Sequence, residues 1–283
     1  MRLDAELLEA LGGLVPLAPA HQPQALACIR AVWETWPDLS QVACFDTAFH
    51  RTQDRLAQLY PLPRALIDEG LVRFGFHGLS YAHLARTFSH GRVLAAHLGH
   101  GASLCAIRDG RSVATTMGFT TLDGLMMGTR SGAIDPGLIL YLIRERGLSA
   151  EAVAELLNER SGLLGVSGLS DDVRALEASE ASAAREALDL FTYRAVREAG
   201  SLIAALGGID TLVFTGGIGE HAVQVRAEIC RGLAFAGVAL DQVANVRGGD
   251  RIEAPGSAVA VRIANANEER EIALSVTDAL GPL

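Results

Sequence analysis

The chain has 283 residues, 49% of them apolar and 20% charged, with a formal net charge of −9. That length suits two domains or one large one, and the apolar content excludes a disordered chain. The acidic balance and lack of any basic run argue against nucleic acid as the main partner, and no apolar run reaches the length of a membrane span. The N-terminus shows no basic leader with a cleavage site, so cytoplasm is the expected compartment. All 24 Lys-or-Arg positions are arginine, which excludes a P-loop lysine and Schiff-base chemistry. Any phosphate has to be met by arginine, backbone N–H groups, histidine or a metal. Cys28, Cys44, Cys105 and Cys230 lack CxxC spacing; Cys44 and Cys105 sit in apolar runs and read as buried free thiols.

In chain order, residues 4–11 and 22–34 predict short helices around the loop 16–21, and residues 41–45 (QVACF) predict a buried strand ending at Asp46. A polar helical segment with His50 follows and is broken at Tyr60-Pro61-Leu62-Pro63. RVLAAHLGH, ASLCAIRDG and RSVATTMG then predict three successive strands, the last two joined by an Asp109-Gly110 hairpin turn. Helices are expected at about 135–146, 150–160 and 182–206, the last with 3.6-residue apolar spacing. A strand at 211–214 feeds TGGIGEH and a helix, and a strand at 258–263 precedes a terminal helix. This order predicts an α/β protein with a helix-covered sheet.

The segment GFTTLDGLMMGTRSGAIDPG (118–137) holds Arg130 between two glycines. Glycine permits close backbone approach and positive φ, and a guanidinium fork suits carboxylate or phosphate; a solvated arginine in an ordinary turn is the plainer reading. The glycine-flanked turn at residues 97–101 can offer N–H groups to phosphate, or can simply be a hairpin. TGGIGEH follows a strand and opens a helix, a setting that attracts anions, yet it is not the dinucleotide fingerprint GxGxxG. Asp46 ends a strand, where functional acids occur in α/β folds, but helix capping explains it too. His77 lies between an aromatic residue and a glycine, either facing a ligand or satisfied within its loop. Glu268 and Glu269 can hold Mg²⁺ or merely decorate a helix N-terminus.

Together FDTAFH, RFGFHG, HLGHGASL, MGFTTLDGLMMGTRSG, SGLLGVSG, FTGGIGEH and NEE resemble the acetate kinase family, in that family's order, from about residue 14 onward. The resemblance implies the two-domain actin-like ATPase (ribonuclease H-like) fold, with the first domain truncated: residues 1–45 plus 269–283 as its remnant and 46–268 as the nucleotide-binding domain. It implies phosphoryl transfer between ATP and acetate, giving acetyl phosphate and ADP, with Mg²⁺ or Mn²⁺ as the metal, in a cytoplasmic homodimer. Asp46, His77 and Arg130 become the catalytic group, and Glu268 the metal ligand. His97, Leu98, Gly99, His100 and Gly101 would meet the nucleotide phosphates. Asp172, Val173 and Arg174, with Gly217, Ile218, Gly219, Glu220 and His221, would hold the adenosine. Leu17 and Pro19 are expected near the acyl chain.

This sequence departs from the family's pattern at His100 and His221, usually asparagine, at Tyr81, usually histidine, and at Ala133, usually aspartate. Val173 stands where a larger side chain can flank the base. The family's first strand and serine-rich phosphate turn have no counterpart in these residues, so an exposed edge is expected beside residues 41–45. Two alternatives stay open: a nucleotide-binding relative or half of a split enzyme without turnover, and a propionate or butyrate kinase.

Overall fold

The computed structural model describes residues 1–15 and 22–281. Helices α1 (Ala5–Gly13), α2 (Gln22–Thr35), α3 (Arg55–Gln58), α4 (Arg64–Asp68) and α5 (Gly78–Thr87) precede the hairpins β1 (Arg92–Leu98), β2 (Ala102–Arg108) and β3 (Arg111–Thr115). Then come α6 (Pro136–Arg144), α7 (Ala150–Glu159), α8 (Gly162–Ser167), α9 (Val173–Glu177) and α10 (Ser182–Leu206). The chain closes with β4 (Thr211–Thr215), α11 (Gly216–His221), α12 (Val223–Gly232), α13 (Gln242–Arg247), β5 (Ala260–Ile263) and α14 (Glu268–Leu280).

The strands form one five-stranded sheet in the order β3-β2-β1-β4-β5. The β1–β2 and β2–β3 pairs are antiparallel, and β1–β4 and β4–β5 are parallel. The Asp109-Gly110 turn is realised with φ of 48° and 76°, the left-handed pair that a two-residue hairpin needs to match strand twist.

Strand alternation sorts side chains onto two faces. Leu94, Ala96, Leu98, Leu104, Ala106, Leu212 and Phe214 pack with α10 and α12 in the main core. Val93, Ala95, Cys105, Ile107 and Val213 pack on the other face with Tyr81, Leu84 and Ala85 of α5. Helix α10 presents Ala184, Ala187, Phe191, Ala195, Ala199, Leu202 and Leu206 along one stripe, so its alanines let it lie close to the sheet. It ends at Gly207 (φ 71°), whose N–H and that of Gly208 bond back to Ala204 and Ile203 carbonyls, a Schellman stop.

Two expectations need correction. Residues 41–45 are extended but only half-buried, and among the described residues their one bridge pairs Val42 with Arg2. Leu3 N–H donates to Gln41 O and Ala43 N–H to Met1 O, each at 2.8 Å. The apolar run is there, but among the described residues no strand of the sheet lies alongside to complete a ladder. Cys44, on this segment, is therefore half-buried, whereas Cys105 and Cys230 are buried free thiols. Phe45 and Ala43 pack into a separate small core with Leu3, Leu11 and Leu26, which anchors the chain just ahead of Asp46.

Ion pairs tie the elements together through guanidinium groups. Arg86 Nε donates to Glu271 at 2.9 Å, joining α5 to α14, and Arg92 joins the start of β1 to Asp210 before β4 at 2.6 Å. Among the described residues no helix is long and apolar enough to cross a membrane.

Candidate active site

Asp46 leaves the small N-terminal core and meets the turn that opens α5. Its Oδ2 accepts the His77 N–H at 2.8 Å, and its carbonyl accepts the Gly78 N–H at 2.7 Å. A Cβ on Gly78 would lie 2.2 Å from that carbonyl oxygen, so only glycine allows the approach. His77 adopts φ 56°, an uncommon conformation outside glycine that marks a constrained position. The carboxylate and the imidazole are thereby fixed to each other through the backbone.

His77 Nδ1 lies 2.8 Å from Ser103 Oγ of β2. Its ring stacks on His97 with centroids 4.2 Å apart and planes at 20°. His97 Nδ1 is in turn 2.8 Å from Ser80 Oγ of α5. Burial pushes the His77 pKa down to about 4, reinforced by the charge of Arg130. Burial likewise takes His97 to about 3, with His77 adding to the effect. Both imidazoles are neutral near pH 7 and act as hydrogen-bonding groups there.

The Arg130 loop closes over this pair. A Cβ on Gly101 would lie 3.4 Å from His77 Nε2 and 3.7 Å from an Arg130 terminal nitrogen, so the two donors converge on one glycine. Arg130 donates to Thr121 O at 3.3 Å, and it has no carboxylate partner among the described residues. Partial burial lowers its pKa from the usual arginine value. The flanking glycines make room for the protein's own atoms, backbone in one case and a side chain in the other. Gly132 (φ 68°) would place a Cβ 2.3 Å from Leu125 O, and Gly128, whose φ is not positive, would place one 2.7 Å from the His100 ring.

Beside this cluster, a cleft of about 680 Å³ is lined by Gly99, His100, Asp171, Asp172, Val173, Arg174, Glu177, Gly217, Ile218, His221 and Ala222. Eight of the thirteen residues expected at the nucleotide are in that lining. Val173, Ile218 and Ala222 supply apolar walls, and Asp171, Asp172 and Glu177 supply acceptors, a combination suited to a base and a ribose. His100 Nε2 meets Asp171 Oδ2 at 3.0 Å. Asp172 caps α9 and pairs with Arg174 at 2.7 Å, and those hydrogen bonds hold its carboxyl below the usual range. A second cavity, of about 520 Å³ between α9, α10 and α12, shares only Glu177 with this cleft.

The other five expected residues lie elsewhere. Leu98 is fully buried in the main core, because alternation along β1 turns it away from the face that carries His97. His97 and Gly101 sit at the His77 cluster, as described above. Gly219 is buried against Phe214, and Glu220 Oε1 accepts the Ala266 N–H at 3.0 Å. Helix α11 has six residues and offers its flank to the cleft.

Glu268 opens α14 behind the N-cap Asn267. Burial, then the negative charge of Asp46, raise its pKa, so the two carboxylates sense each other. Neither is ion-paired, and no group of three or more His, Cys, Asp or Glu gathers for a metal among the described residues. Two hard oxygen donors without a full protein cage suit Mg²⁺, which binds through one or two carboxylates plus phosphates and water. Leu17 and Pro19 lie outside the described residues.

Sequence reasoning passed over Arg226. It is 1% exposed and donates to Gly219 O, Glu220 O and both Asn245 oxygens at 2.7–3.0 Å. It thereby satisfies the C-terminal carbonyls of α11 and holds that wall of the cleft. Nothing in the local pattern of α12 distinguishes it from a solvated arginine.

The mixed sheet, with a donor cluster and an open cleft beside the carboxyl ends of its parallel strands, is the actin-like ATPase architecture. A sequence model of the Acetokinase family matches residues 2–274, and the chain belongs to that family. An acetate kinase of Rhodopseudomonas palustris (strain TIE-1) is 50% identical over 281 residues, covering 96% of this chain and 71% of that protein. One from Methylocella silvestris is 49% identical, covering 95% and 68%. Among solved structures, an acetate kinase from Porphyromonas gingivalis superposes with TM-score 0.91 at 36% identity, over 99% of this chain and 74% of that one. A propionate kinase from Francisella tularensis subsp. tularensis SCHU S4 gives 0.92 at 36%, over 97% and 74%.

Proposed function

We propose that the chain is an ATP-dependent phosphotransferase that moves the γ-phosphoryl group reversibly to acetate. The convergence of His77 Nε2 and Arg130 at Gly101, next to Asp46 and opening toward the apolar-walled cleft, carries this reading. An in-line transfer spreads charge over the equatorial phosphoryl oxygens and needs positioning and neutralisation more than covalent chemistry. Arg130, free of carboxylates among the described residues, supplies a planar donor fork. Neutral His77 donates a further hydrogen bond without titrating near neutral pH. Val173, Ile218 and His221 hold the base, and Arg226 holds the wall that carries Ile218 and His221.

Asp46 and Glu268 are the residues that would hold Mg²⁺. When bound, the ion neutralises phosphate charge as the oxygens separate. Residues 1–45 with 269–283 are taken as one side of the protein and 46–268 as the nucleotide side, in a cytoplasmic homodimer. Half-exposed Leu138, Leu140 and Tyr141 on α6 support a partner surface.

Trapping acetyl phosphate with hydroxylamine in the presence of ATP, Mg²⁺ and acetate tests the reading. Turnover is the expected result; ATP binding without acetyl phosphate would defeat it. Running propionate and butyrate in parallel fixes the acyl length, which one methylene in an apolar pocket discriminates only about 10- to 200-fold.

A further inference from the structure

Tyr81 is fully buried on α5, and its hydroxyl bonds Ser103 Oγ. Ser103 is buried too, and its only other side-chain partner among the described residues is His77 Nδ1, at 2.8 Å. Three polar groups thus form a closed line, Tyr81–Ser103–His77, running from the interior to the side of His77 that faces Gly101 and Arg130. The direction of its protons follows from counting donors and acceptors.

A phenol carries one proton, and leaving it undonated in a dry interior is costly. Ser103 Oγ is the sole side-chain partner of the Tyr81 hydroxyl among the described residues, so Tyr81 donates and Ser103 accepts. The single Ser103 proton then points to His77 Nδ1, which must accept. Burial holds the Tyr81 phenol protonated, and an imidazole that accepts at Nδ1 carries no proton on that atom. The remaining imidazole proton therefore resides on Nε2, the atom beside Gly101 and Arg130.

We infer that Tyr81, acting through Ser103, is a positioning residue that fixes His77 in its Nε2–H tautomer and so makes it a hydrogen-bond donor to the phosphoryl oxygens. The opposite tautomer would turn an imidazole lone pair toward those oxygens and repel them. Tyr81 touches no substrate in this scheme. The functional half of the inference rests on the phosphotransfer reading; the tautomer itself does not.

The test is nitrogen NMR of the full chain labelled with ¹⁵N-histidine, with His77 assigned by comparison with His77→Gln. The unsubstituted protein should show His77 protonated at Nε2. Tyr81→Phe keeps the ring and removes only the donor, so the Nδ1–H form should become populated. Ser103→Ala removes both contacts and should populate it further. In kinetics, Tyr81→Phe should lower kcat about tenfold while leaving KM for ATP within about twofold, the signature of an interaction made in the transition state.

A His77 that carries its proton on Nδ1 in the unsubstituted protein overturns the inference. So does one whose tautomer, or whose kcat, is unmoved in Tyr81→Phe. Because the tautomer is read whether or not the chain turns over, a failed phosphotransfer reading shows separately, in the acetyl phosphate assay.

Discussion

Around His77 the polar side chains are already held by the protein: Asp46 by backbone N–H groups, His77 by Ser103, His97 by Ser80. Along the neighbouring cleft, His100 and the Asp172–Arg174 pair face solvent, and the walls are apolar side chains. The first region is set before any ligand arrives, so its donors need not reorganise as charge develops. The second leaves its contacts to be made by a ligand that must also depart. Substitutions in the first should therefore cost rate or stability, and substitutions in the second should cost affinity.

Arg130→Ala should separate the two most sharply. It is expected to lower kcat about 10³-fold, with KM for ATP within about threefold, in steady-state acetyl phosphate assays. A change confined to KM would move Arg130 to the binding side. Gly78→Ala attacks the junction itself, since its Cβ would lie 2.2 Å from Asp46 O. A loss of about 3 kcal/mol in urea unfolding is expected, with activity falling as Asp46 is displaced.

The buried histidines give a pH prediction of intermediate size. His77 has a folded pKa of about 4, and the unfolded chain binds its proton near pH 6.5. The unfolded state therefore takes up more protons between those values. This contribution to stability is complete above about pH 6.5 and is lost as pH falls toward 4. Between pH 7 and 5 the loss should be about 2 kcal/mol in the unfolding free energy from urea titrations, and His77→Gln should flatten the slope. Ile218→Ala is the smallest expected effect: about 1 kcal/mol of lost apolar contact, seen as a roughly fivefold higher KM for ATP with kcat unchanged.

Periodicity and turn chemistry made much of this fold legible. The Asp109-Gly110 hairpin, the long helix ending at Leu206 and the strand that feeds TGGIGEH all lie where local pattern put them. Residues 41–45 differ from expectation because a short apolar run reports a segment fit for burial and says nothing about whether a neighbouring strand is present. Helix α5 was missed: its ten residues are short, and its buried face includes Ser80 and Tyr81, which are polar in a pattern search. Within the site, cleft-lining residues were readable from motifs, whereas partnerships such as Tyr81 with Ser103 join residues 22 apart across a helix and a sheet. Strand parity could have separated His97 from Leu98 in advance, since adjacent residues on a strand cannot share a face.

The guanidinium ties of the body, from Arg86–Glu271 to Arg92–Asp210, have a chemical consequence. An acyl phosphate is an acyl donor, and its usual protein victims are amines, whose acylation erases a positive charge. With all 24 basic side chains arginine, no side-chain amine is available to react. Guanidinium stays protonated at any physiological pH and is a poor nucleophile for that reason. The cations that hold this sheet and helices together are therefore inert toward the product that the protein is proposed to make.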